Sequence, residues 1–292
     1  MKSGYVAVIG RANAGKSTLI NVLVGEKVSI VSPKPQTTRD RILGVYTDED
    51  SQIVFVDTPG IYGADNLLNS VMQKTAEDSA KDVDLTLIVC DAHEGLTDKD
   101  VKTVKKFSEA TGSAIAILTK TDITTESVLI SSLKELGGMD IETVPVSARK
   151  GRNLKELIKV IKSKLPEGER IFSDDVISDK SEKFMVSEIM REKILLKFDK
   201  EIPHGVAVLV NEFKLREDGK VYDVSLDIIC EKQNHKAILI GKQGRAIKEV
   251  SSFAREDMEK FLGKKVFLTT YVKVEEDWRN SLKLIKEHGY GE

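Results

Sequence analysis

Residues 5–23, YVAVIGRANAGKSTLINVL, decide the fold of this 292-residue chain. The apolar run Tyr5–Ile9 predicts a strand, the loop Gly10–Ser17 fits the pattern G-x-x-x-x-G-K-[ST], and apolar residues at helical spacing follow it. Glycines let backbone N–H groups curl around an anion, and a helix N-terminus adds partial positive charge. The order strand–loop–helix therefore predicts a phosphate-binding loop. The alternative is a chance Gly-Lys-Ser in an ordinary loop, and the strand before it and the helix after it argue against that.

The side chains of this loop have distinct predicted roles. Lys16 would reach the β- and γ-phosphates of a nucleotide, and the Ser17 hydroxyl would ligate Mg²⁺. After the apolar strand Ile53–Val56, Asp57 would hold Mg²⁺ through water and Gly60 would present an N–H to the γ-phosphate. The predicted phosphate-binding residues are Gly10, Asn13, Ala14, Gly15, Lys16, Ser17, Thr18 and Gly60.

Apolar β-rich runs alternate with helical patterns through about residue 165, which predicts an α/β fold with a mostly parallel sheet covered on both faces. The predicted strands are Tyr5–Ile9, Gln52–Val56, Asp84–Cys90, Ser113–Leu118 and Glu142–Val146. The predicted helices are Ser17–Leu23, Leu67–Ser79, Asp98–Thr111 and Asn153–Leu165. We assign residues 1–168 to this P-loop domain, whose ligand we expect at the carboxyl ends of the strands.

Two further motifs follow predicted strands and point to the nucleotide base. Asp122, in Thr119-Lys120-Thr121-Asp122, can accept hydrogen bonds from N1–H and the 2-amino group of guanine. Adenine would leave its charge unpaired, which argues against an ATPase or a small-molecule kinase. Lys120 would lie over the base, and the Ser147 segment would donate a backbone N–H to guanine O6. The predicted guanine-binding residues are Thr119, Lys120, Asp122, Ser147, Ala148 and Arg149.

The second half of the chain has a different pattern. Pro166-Glu167-Gly168 ends the last helix, and the polar stretch 169–181 predicts a linker. From Ser181, a candidate helix cap, an α-β-β-α-α-β order follows. Its strands are predicted at Val206–Leu215, Val221–Ile229 and Lys265–Val274, and its later helices at Lys236–Ile240, Arg245–Phe261 and Asp277–His288. We assign residues 182–292 to a second, α+β domain.

A G-x-x-G loop, Gly241–Gly244, lies between two of these predicted helices. It is the signature of a KH domain, here of type II, whose loop clamps the backbone of about four single-stranded nucleotides. Lys242, Arg245 and Lys248 supply local positive charge. A tight helix–helix turn is the alternative, but the flanking apolar residues and the element order favour RNA binding. The predicted RNA-binding residues are Ile240, Gly241, Lys242, Gln243, Gly244, Arg245 and Lys248.

Composition limits the class of protein. Hydrophobic residues make up 40% and charged residues 32%, and the formal net charge is −2, so any RNA site must be a local patch. Cys90 and Cys230 lie in apolar runs, so we predict that both are core residues. Two such cysteines make no disulfide framework, which fits a reducing compartment. The sequence shows neither a signal-peptide pattern nor a run of about 20 apolar residues, and we expect a cytoplasmic protein.

Residues 4–165 resemble the translation-factor class of P-loop GTPases in the motifs above. The resemblance implies that GTP and GDP are substrate and product and that Mg²⁺ is the cofactor. The base motif of this class is Asn-Lys-x-Asp, so Thr119 departs from it, and we expect some loss of affinity rather than of guanine choice. Ile61 stands where many of these GTPases have a glutamine that orients water, so we expect slow hydrolysis.

Pro35-Gln36-Thr37-Thr38-Arg39-Asp40 resembles the first switch of the Era-like branch of these GTPases. In that branch a threonine contacts Mg²⁺ and the γ-phosphate in the GTP state and is released after hydrolysis. The resemblance implies a switch formed by Gln36, Thr37, Thr38 and Arg39, with Thr38 favoured over Thr37 as the contact. The implied Mg²⁺ set is Ser17, Thr38 and Asp57.

This switch, combined with a C-terminal KH domain, resembles the Era-like family over nearly the whole chain. The resemblance implies a monomer that binds the 3′ end of small-subunit ribosomal RNA, acts in small ribosomal subunit assembly and contacts the inner face of the cell membrane peripherally. Residue spacing alone indicates only a GTPase with a single-stranded RNA clamp. The alternative is a GTPase whose C-terminal domain docks a protein, which would bind no RNA and tolerate changes at Lys242 and Arg245. A tRNA-modifying GTPase is disfavoured because no cysteine-bearing tail accompanies the motifs.

Overall fold

The computed structural model describes residues 1–60, 65–111 and 113–291, and the chain divides into two compact units. The first unit comprises Met1–Ser29, Thr38–Ala64 and Met72–Asp179. The second comprises Ile30–Thr37, Asp65–Val71 and Lys180–Glu292. Two short segments, 30–37 and 65–71, thus belong to the second unit although their chain neighbours belong to the first.

A six-stranded sheet organises the first unit. Its strands are β1 (Lys2–Ile9), β2 (Ile42–Thr47), β3 (Ser51–Asp57), β4 (Leu85–Asp91), β5 (Ala114–Thr119) and β6 (Thr143–Pro145). Their order is β2-β3-β1-β4-β5-β6; β2 runs antiparallel to β3, and the other neighbours are parallel. The helices are α1 (Lys16–Val24), α2 (Leu67–Asp78), α3 (Asp98–Thr111), α4 (Glu126–Gly137) and α5 (Leu154–Lys164), of which α2 begins with residues that group with the second unit. This is the predicted mostly parallel α/β fold.

The strands of this sheet are buried on both faces, as parallel strands between two layers of helices must be. Every residue of β3 and β4 is buried. Val6 and Val8 of β1 pack into one apolar cluster, and Ala7 and Ile9 pack into another on the opposite face. Because β1, β3, β4 and β5 are parallel, their carboxyl ends meet at one edge, and the predicted nucleotide motifs follow β1, β3 and β5 there.

The second unit combines helices with a three-stranded sheet. Its main elements are α6 (Glu182–Lys197), β7 (Ala207–Leu215), β8 (Val221–Cys230), α7 (Gln233–Ile240), α8 (Arg245–Leu262), β9 (Lys265–Val274) and α9 (Leu282–Glu287). The sheet order is β7-β8-β9, with β7 antiparallel and β9 parallel to β8. Ser181 caps α6 by accepting from the Phe184 N–H, as its position predicted. The α-β-β-α-α-β order is the predicted one.

One face of the three-stranded sheet carries the core of the second unit. Val186, Ile189 and Ile194 of α6 share a buried apolar cluster with residues of α8 and of β8. The α8 members of that cluster are Val250, Ala254 and Met258. Because α8 starts directly after the G-x-x-G loop, the loop is fixed to a helix that packs against α6.

The predicted closing helix over Asp277–His288 is wrong in its extent. The structure has a 3₁₀ turn at Trp278–Asn280 and then the short α9. Ser281 interrupts them with extended backbone, at φ −111°, and its side chain accepts from the Leu284 N–H. Serine satisfies a helix N-terminus in this way at the expense of a continuous helix. The Trp278 ring is fully buried and donates to the Gly205 carbonyl at 2.9 Å.

Candidate functional site

Backbone geometry at the glycines of the loop after β1 explains why the motif requires them. Gly15 has φ +96° and precedes the first residue of α1, a conformation that glycine adopts at no steric cost. A Cβ built on Gly10 would lie 2.3 Å from the Val89 carbonyl oxygen, which no side chain could tolerate. Asn13 is exposed, Ala14 is buried, and Thr18 lies in the first turn of α1. The loop therefore leaves its backbone N–H groups and the start of α1 at the edge of the sheet.

The ammonium of Lys16 lies over the loop that precedes it. Its Nζ donates to the carbonyls of Gly10 at 3.0 Å and Arg11 at 3.1 Å. Burial lowers the pKa of Lys16 to about 8, while the charge of Asp57 acts in the opposite direction. A bound phosphate would supply the negative charge that this buried ammonium needs.

Three side chains that sequence analysis assigned to Mg²⁺ meet in the first unit. The Ser17 hydroxyl donates to Asp57 Oδ2 at 2.8 Å and lies 2.9 Å from the Thr38 hydroxyl, which is 3.4 Å from the same carboxylate oxygen. Asp57 is fully buried, and burial raises its pKa although Lys16 and nearby hydroxyls oppose the shift. Asp57 Oδ1 is buried and makes no hydrogen bond of ordinary geometry within the described residues. A carboxylate with one unsatisfied oxygen beside two hydroxyls fits a small oxygen-binding cation such as Mg²⁺.

The remaining residues of the predicted switch segments lie as follows. Gly60 is buried at the end of the described stretch 1–60, and Ile61 lies outside the described residues. Gln36 and Thr37 belong to the second unit, where Gln36 donates through Nε2 to Asn69 Oδ1 at 2.9 Å. Arg39 is buried in the first unit. Of the two threonines considered, Thr38 is the one beside Ser17 and Asp57.

Thr119 ties the predicted base-binding motif to the phosphate loop. Its hydroxyl donates to the Ala14 carbonyl at 2.6 Å and lies 3.2 Å from the Cys90 carbonyl. Thr119 is buried, so this bond forms where water competes little. The hydroxyl therefore supplies the brace to the loop that an asparagine would have been expected to make.

The other base-motif residues are held by carboxylates and hydroxyls of the first unit. The Ser147 hydroxyl donates to Asp122 at 2.6 Å, and that bond lowers the pKa of Asp122 and keeps it an acceptor. Lys120 forms a 2.5 Å ion pair with Asp91 at the end of β4. Ala148 and Arg149 continue the loop after Ser147. Sequence analysis missed Asp91, and its position at the carboxyl end of a buried strand was the available signal.

The G-x-x-G loop occupies a sharp turn between α7 and α8. Gly241 has φ +71° and Gly244 has φ +75°, so both are in the left-handed region. A Cβ on Gly241 would lie 2.6 Å from the Ala246 Cβ, whereas one on Gly244 would meet nothing within 4 Å. Ile240 is half-buried. The exposed side chains around the turn are Lys242, Gln243, Arg245 and Lys248. Three exposed cations at this turn form a local positive patch on a chain of net charge −2, the kind of patch that the sequence analysis requires of an RNA site.

Two protein families match the two halves of the chain. Residues 5–121 match the family described as 50S ribosome-binding GTPase, and residues 201–279 match the KH domain family. The GTPase match covers the phosphate loop, the Asp57 turn and the start of the base motif. The KH match covers the G-x-x-G loop and the three strands of the second unit. It leaves out the first and last helices of that unit, α6 and α9.

Curated relatives and solved structures extend the likeness over the full length. GTPase Era of Alkaliphilus metalliredigens (strain QYMF) is 45% identical over 291 residues, 99% of each chain. GTPase Era of Clostridioides difficile (strain 630) is 44% identical over 294 residues, 100% of this chain and 99% of that one. Two crystal structures are each 38% identical with a TM-score of 0.96 and cover 100% of both chains. One is an Aquifex aeolicus Era variant bound to GDP·AlF4⁻, and the other is Era in complex with MgGDPNP and nucleotides 1506–1542 of 16S ribosomal RNA.

Proposed function

This chain belongs to the Era family of GTPases, and from that premise we propose that it is a Mg²⁺-dependent GTP switch that binds single-stranded ribosomal RNA in small ribosomal subunit assembly. It binds GTP and hydrolyses it to GDP and phosphate. The observation that carries the nucleotide half is the meeting of Ser17, Thr38 and Asp57 beside the phosphate loop.

In the proposed reaction water attacks the γ-phosphorus, the bond to the β–γ bridging oxygen breaks, and GDP and phosphate leave. Lys16 and the loop N–H groups bind the phosphate oxygens and stabilise the charge that develops on them. Ser17, Thr38 and Asp57 would hold Mg²⁺, which supplies further positive charge there. Gly60 would donate its N–H to the γ-phosphate. With isoleucine at position 61, no side-chain amide at that position orients the water, so we propose slow intrinsic hydrolysis.

Guanine choice would rest on Asp122. Its carboxylate accepts from two guanine donors, and the Ser147 hydroxyl keeps it oriented and charged. Lys120, paired with Asp91, would cover the base, and the backbone after Ser147 would donate to guanine O6. Thr119 braces this motif against the phosphate loop, so base and phosphate recognition share one buried hydrogen bond.

The RNA half of the proposal rests on the G-x-x-G turn and on the Era–RNA complex to which the chain is similar. The turn would clamp the backbone of about four nucleotides, with Lys242, Arg245 and Lys248 on the phosphates. We propose the 3′ end of small-subunit ribosomal RNA as the ligand. The KH domain match and the likeness to the Era–RNA complex favour RNA over the protein-docking alternative.

We extend the proposal to the domain bounds and to the location of the protein. The GTPase domain would span residues 1–168 and the KH domain residues 182–292, joined by the linker 169–181. The described residues contain no helix long and apolar enough to cross a membrane. From the family resemblance we propose that the protein is a monomer in the cytoplasm that contacts the inner face of the cell membrane peripherally.

The experiment that tests this function is RNA binding by fluorescence anisotropy. The probe is a labelled oligonucleotide from the 3′ end of small-subunit ribosomal RNA, with the protein loaded with a non-hydrolysable GTP analogue and Mg²⁺. The loop variant is Lys242→Asp/Arg245→Asp, which keeps both glycines and reverses two exposed charges at the turn. We expect its affinity to fall by at least about 100-fold, because repulsion of the phosphates replaces attraction.

The matched control is Lys260→Asp/Lys283→Asp, which makes the same change in net charge at exposed helix positions of the second unit. It should bind RNA nearly as well as the wild type. Equal loss in both variants would mean non-specific electrostatics. No RNA binding by the wild type, with GTP binding intact, would overturn the RNA half and leave the GTPase.

A further inference from the structure

A buried ion pair on α6 has no part in the function described so far. Arg191 is fully buried, and its Nε donates to Glu188 Oε1 at 2.7 Å while Nη2 donates to Oε2. Burial alone would lower the pKa of Arg191, but the charge and hydrogen bonding of Glu188, with smaller contributions from Tyr290 and Glu192, together raise the pKa above its ordinary value. Burying two charges rarely adds net stability, so the contacts that this pair makes with other segments are the more informative observation.

The other donors of Arg191 bind the backbone of the first switch. Nη1 donates to the Gln36 carbonyl at 3.3 Å, and Nη2 donates to the Thr37 carbonyl. A planar guanidinium can bind a carboxylate along one edge and two successive carbonyls along another, whereas an ammonium cannot. Glu188 therefore orients a fork whose free side holds two consecutive peptide groups.

Residues of α6 and of the turn that follows it hold other parts of the same segment. Glu192 Oε1 accepts from the Val31 N–H at 2.9 Å. Lys34 forms a 2.8 Å ion pair with Asp199 and also donates to the Phe198 carbonyl. These contacts explain why segment 30–37 belongs to the second unit.

The Thr37 carbonyl is part of the planar peptide bond that leads into Thr38, so holding that carbonyl fixes where Thr38 begins. The Thr38 hydroxyl lies 2.9 Å from that of Ser17 in the arrangement described here. We propose that Arg191 is a positioning residue for GTP hydrolysis: oriented by Glu188, it holds the Gln36–Thr37 backbone so that Thr38 reaches the Mg²⁺ and γ-phosphate site. This inference rests on the proposed GTPase function and adds a residue of the RNA-binding unit to it.

The test removes the pair without leaving a buried charge. Arg191→Met/Glu188→Leu replaces both partners by apolar side chains of similar size, a change that buried pairs often tolerate. Affinities for GDP and for a non-hydrolysable GTP analogue are measured with fluorescent nucleotides, with Mg²⁺ and with chelator. We expect the analogue to bind about tenfold more weakly in Mg²⁺, with GDP affinity unchanged, because Thr38 engages only the GTP state.

Single-turnover hydrolysis supplies the second readout, and we expect it to slow by about 10- to 100-fold, as misplacement of a reacting group does. Arg191→Lys keeps the charge opposite Glu188 but loses the fork, so it should weaken analogue binding in the same direction, and a cooperative thermal unfolding transition would show that the variant is folded. If the double variant fails to fold, Arg191→Lys decides by the same two readouts. Lys197→Met/Glu249→Leu, an exposed ion pair from α6 to α8, is the matched control and should leave both unchanged.

A folded double variant with wild-type analogue affinity and wild-type hydrolysis would overturn the inference and leave the GTPase function standing. Equal weakening of GDP and analogue would also overturn it, because a general structural role does not distinguish the two nucleotides. A wild-type chain that bound no GTP would overturn the proposed function and this inference together.

Discussion

At the scale of single residues, we propose that Asp122 decides which base is bound. A carboxylate offers two acceptors to the two donors of guanine, whereas Asp122→Asn would offer one acceptor and one donor. Xanthine carries a carbonyl where guanine has its 2-amino group, so it matches the amide. We expect Asp122→Asn to weaken GTP binding by about 100-fold or more and to strengthen XTP binding, measured by competition with a fluorescent GDP analogue.

Asp140→Asn is the matched control for this prediction, since Asp140 is an exposed carboxylate elsewhere in the first unit. It should keep the wild-type preference for GTP. An Asp122→Asn variant that still preferred GTP to XTP would mean that another group reads the base.

Substitutions at Thr119 test whether its hydroxyl replaces the side-chain amide of the asparagine that is usual at the first position of the Asn-Lys-x-Asp motif. Thr119→Val removes the donor and leaves the buried Ala14 carbonyl without that bond. We expect nucleotide affinity to fall by about tenfold, the usual cost of one unsatisfied buried acceptor. Thr119→Asn should bind at least as tightly as the wild type, since asparagine can make the same brace. Equilibrium titration with fluorescent GDP measures both, and wild-type affinity in Thr119→Val would show that the brace is dispensable.

Single-residue roles were predictable where a local motif carries them and not where the partner is distant in sequence. Lys16, Ser17 and Asp57 follow strands in recognisable order, and the structure brings the last two together with Thr38. Asp91 and Arg191 have no motif of their own. Their partners Lys120 and Thr37 lie far away in the chain, so only the folded structure identifies them.

At the scale of elements, the two glycines of the turn between α7 and α8 have different constraints. Both have positive φ, but only Gly241 lacks space for a Cβ. We expect Gly241→Ala to destabilise the second unit by about 2–3 kcal/mol and Gly244→Ala by about 1 kcal/mol, because the second pays for backbone strain alone. Urea unfolding followed by fluorescence reports this unit, since the single tryptophan, Trp278, is buried in it. Equal losses would contradict the steric argument.

Most elements with a strong local pattern were predicted, whereas helix α4 (Glu126–Gly137) and strand β2 were not. The strand–loop–helix at the N-terminus and the α-β-β-α-α-β order both follow from periodicity and turn residues. Strand β2 was not predicted, and it contains Gly44, which ordinarily weakens a strand. A Cβ at Gly44 would lie 3.1 Å from side-chain carbons of Ile20, Val24 and Val28, so glycine is there to admit close packing. The need for glycine at position 44 comes from residues that are distant in sequence, so the local pattern around β2 could not reveal it.

At the scale of the whole molecule, motif order predicted a GTPase followed by an RNA-binding domain. It could not predict that segments 30–37 and 65–71 group with the second unit, because their partners lie beyond residue 180. One such partner is Asn280, whose Oδ1 accepts from the N–H of Leu67, the first residue of α2. Gln36 and Thr37 of the first switch, and the first residues of α2, therefore belong to the unit that carries the G-x-x-G loop.

This grouping predicts that nucleotide and RNA affect each other's affinity. If a GTP analogue tightens RNA binding by some factor, RNA must tighten binding of the analogue by the same factor. We expect a coupling of about 5- to 150-fold, the usual range for two linked sites. The loop variant Lys242→Asp/Arg245→Asp should abolish it while leaving nucleotide affinity in the absence of RNA unchanged.

The most direct test of this account is the affinity of the ribosomal RNA oligonucleotide for the wild-type chain loaded with GDP and, separately, with a non-hydrolysable GTP analogue and Mg²⁺. The account predicts tighter binding with the analogue, and a matching gain in analogue affinity when RNA is present. Equal RNA affinity in the two nucleotide states would contradict it: the chain would then contain a GTPase and an RNA-binding domain that act independently.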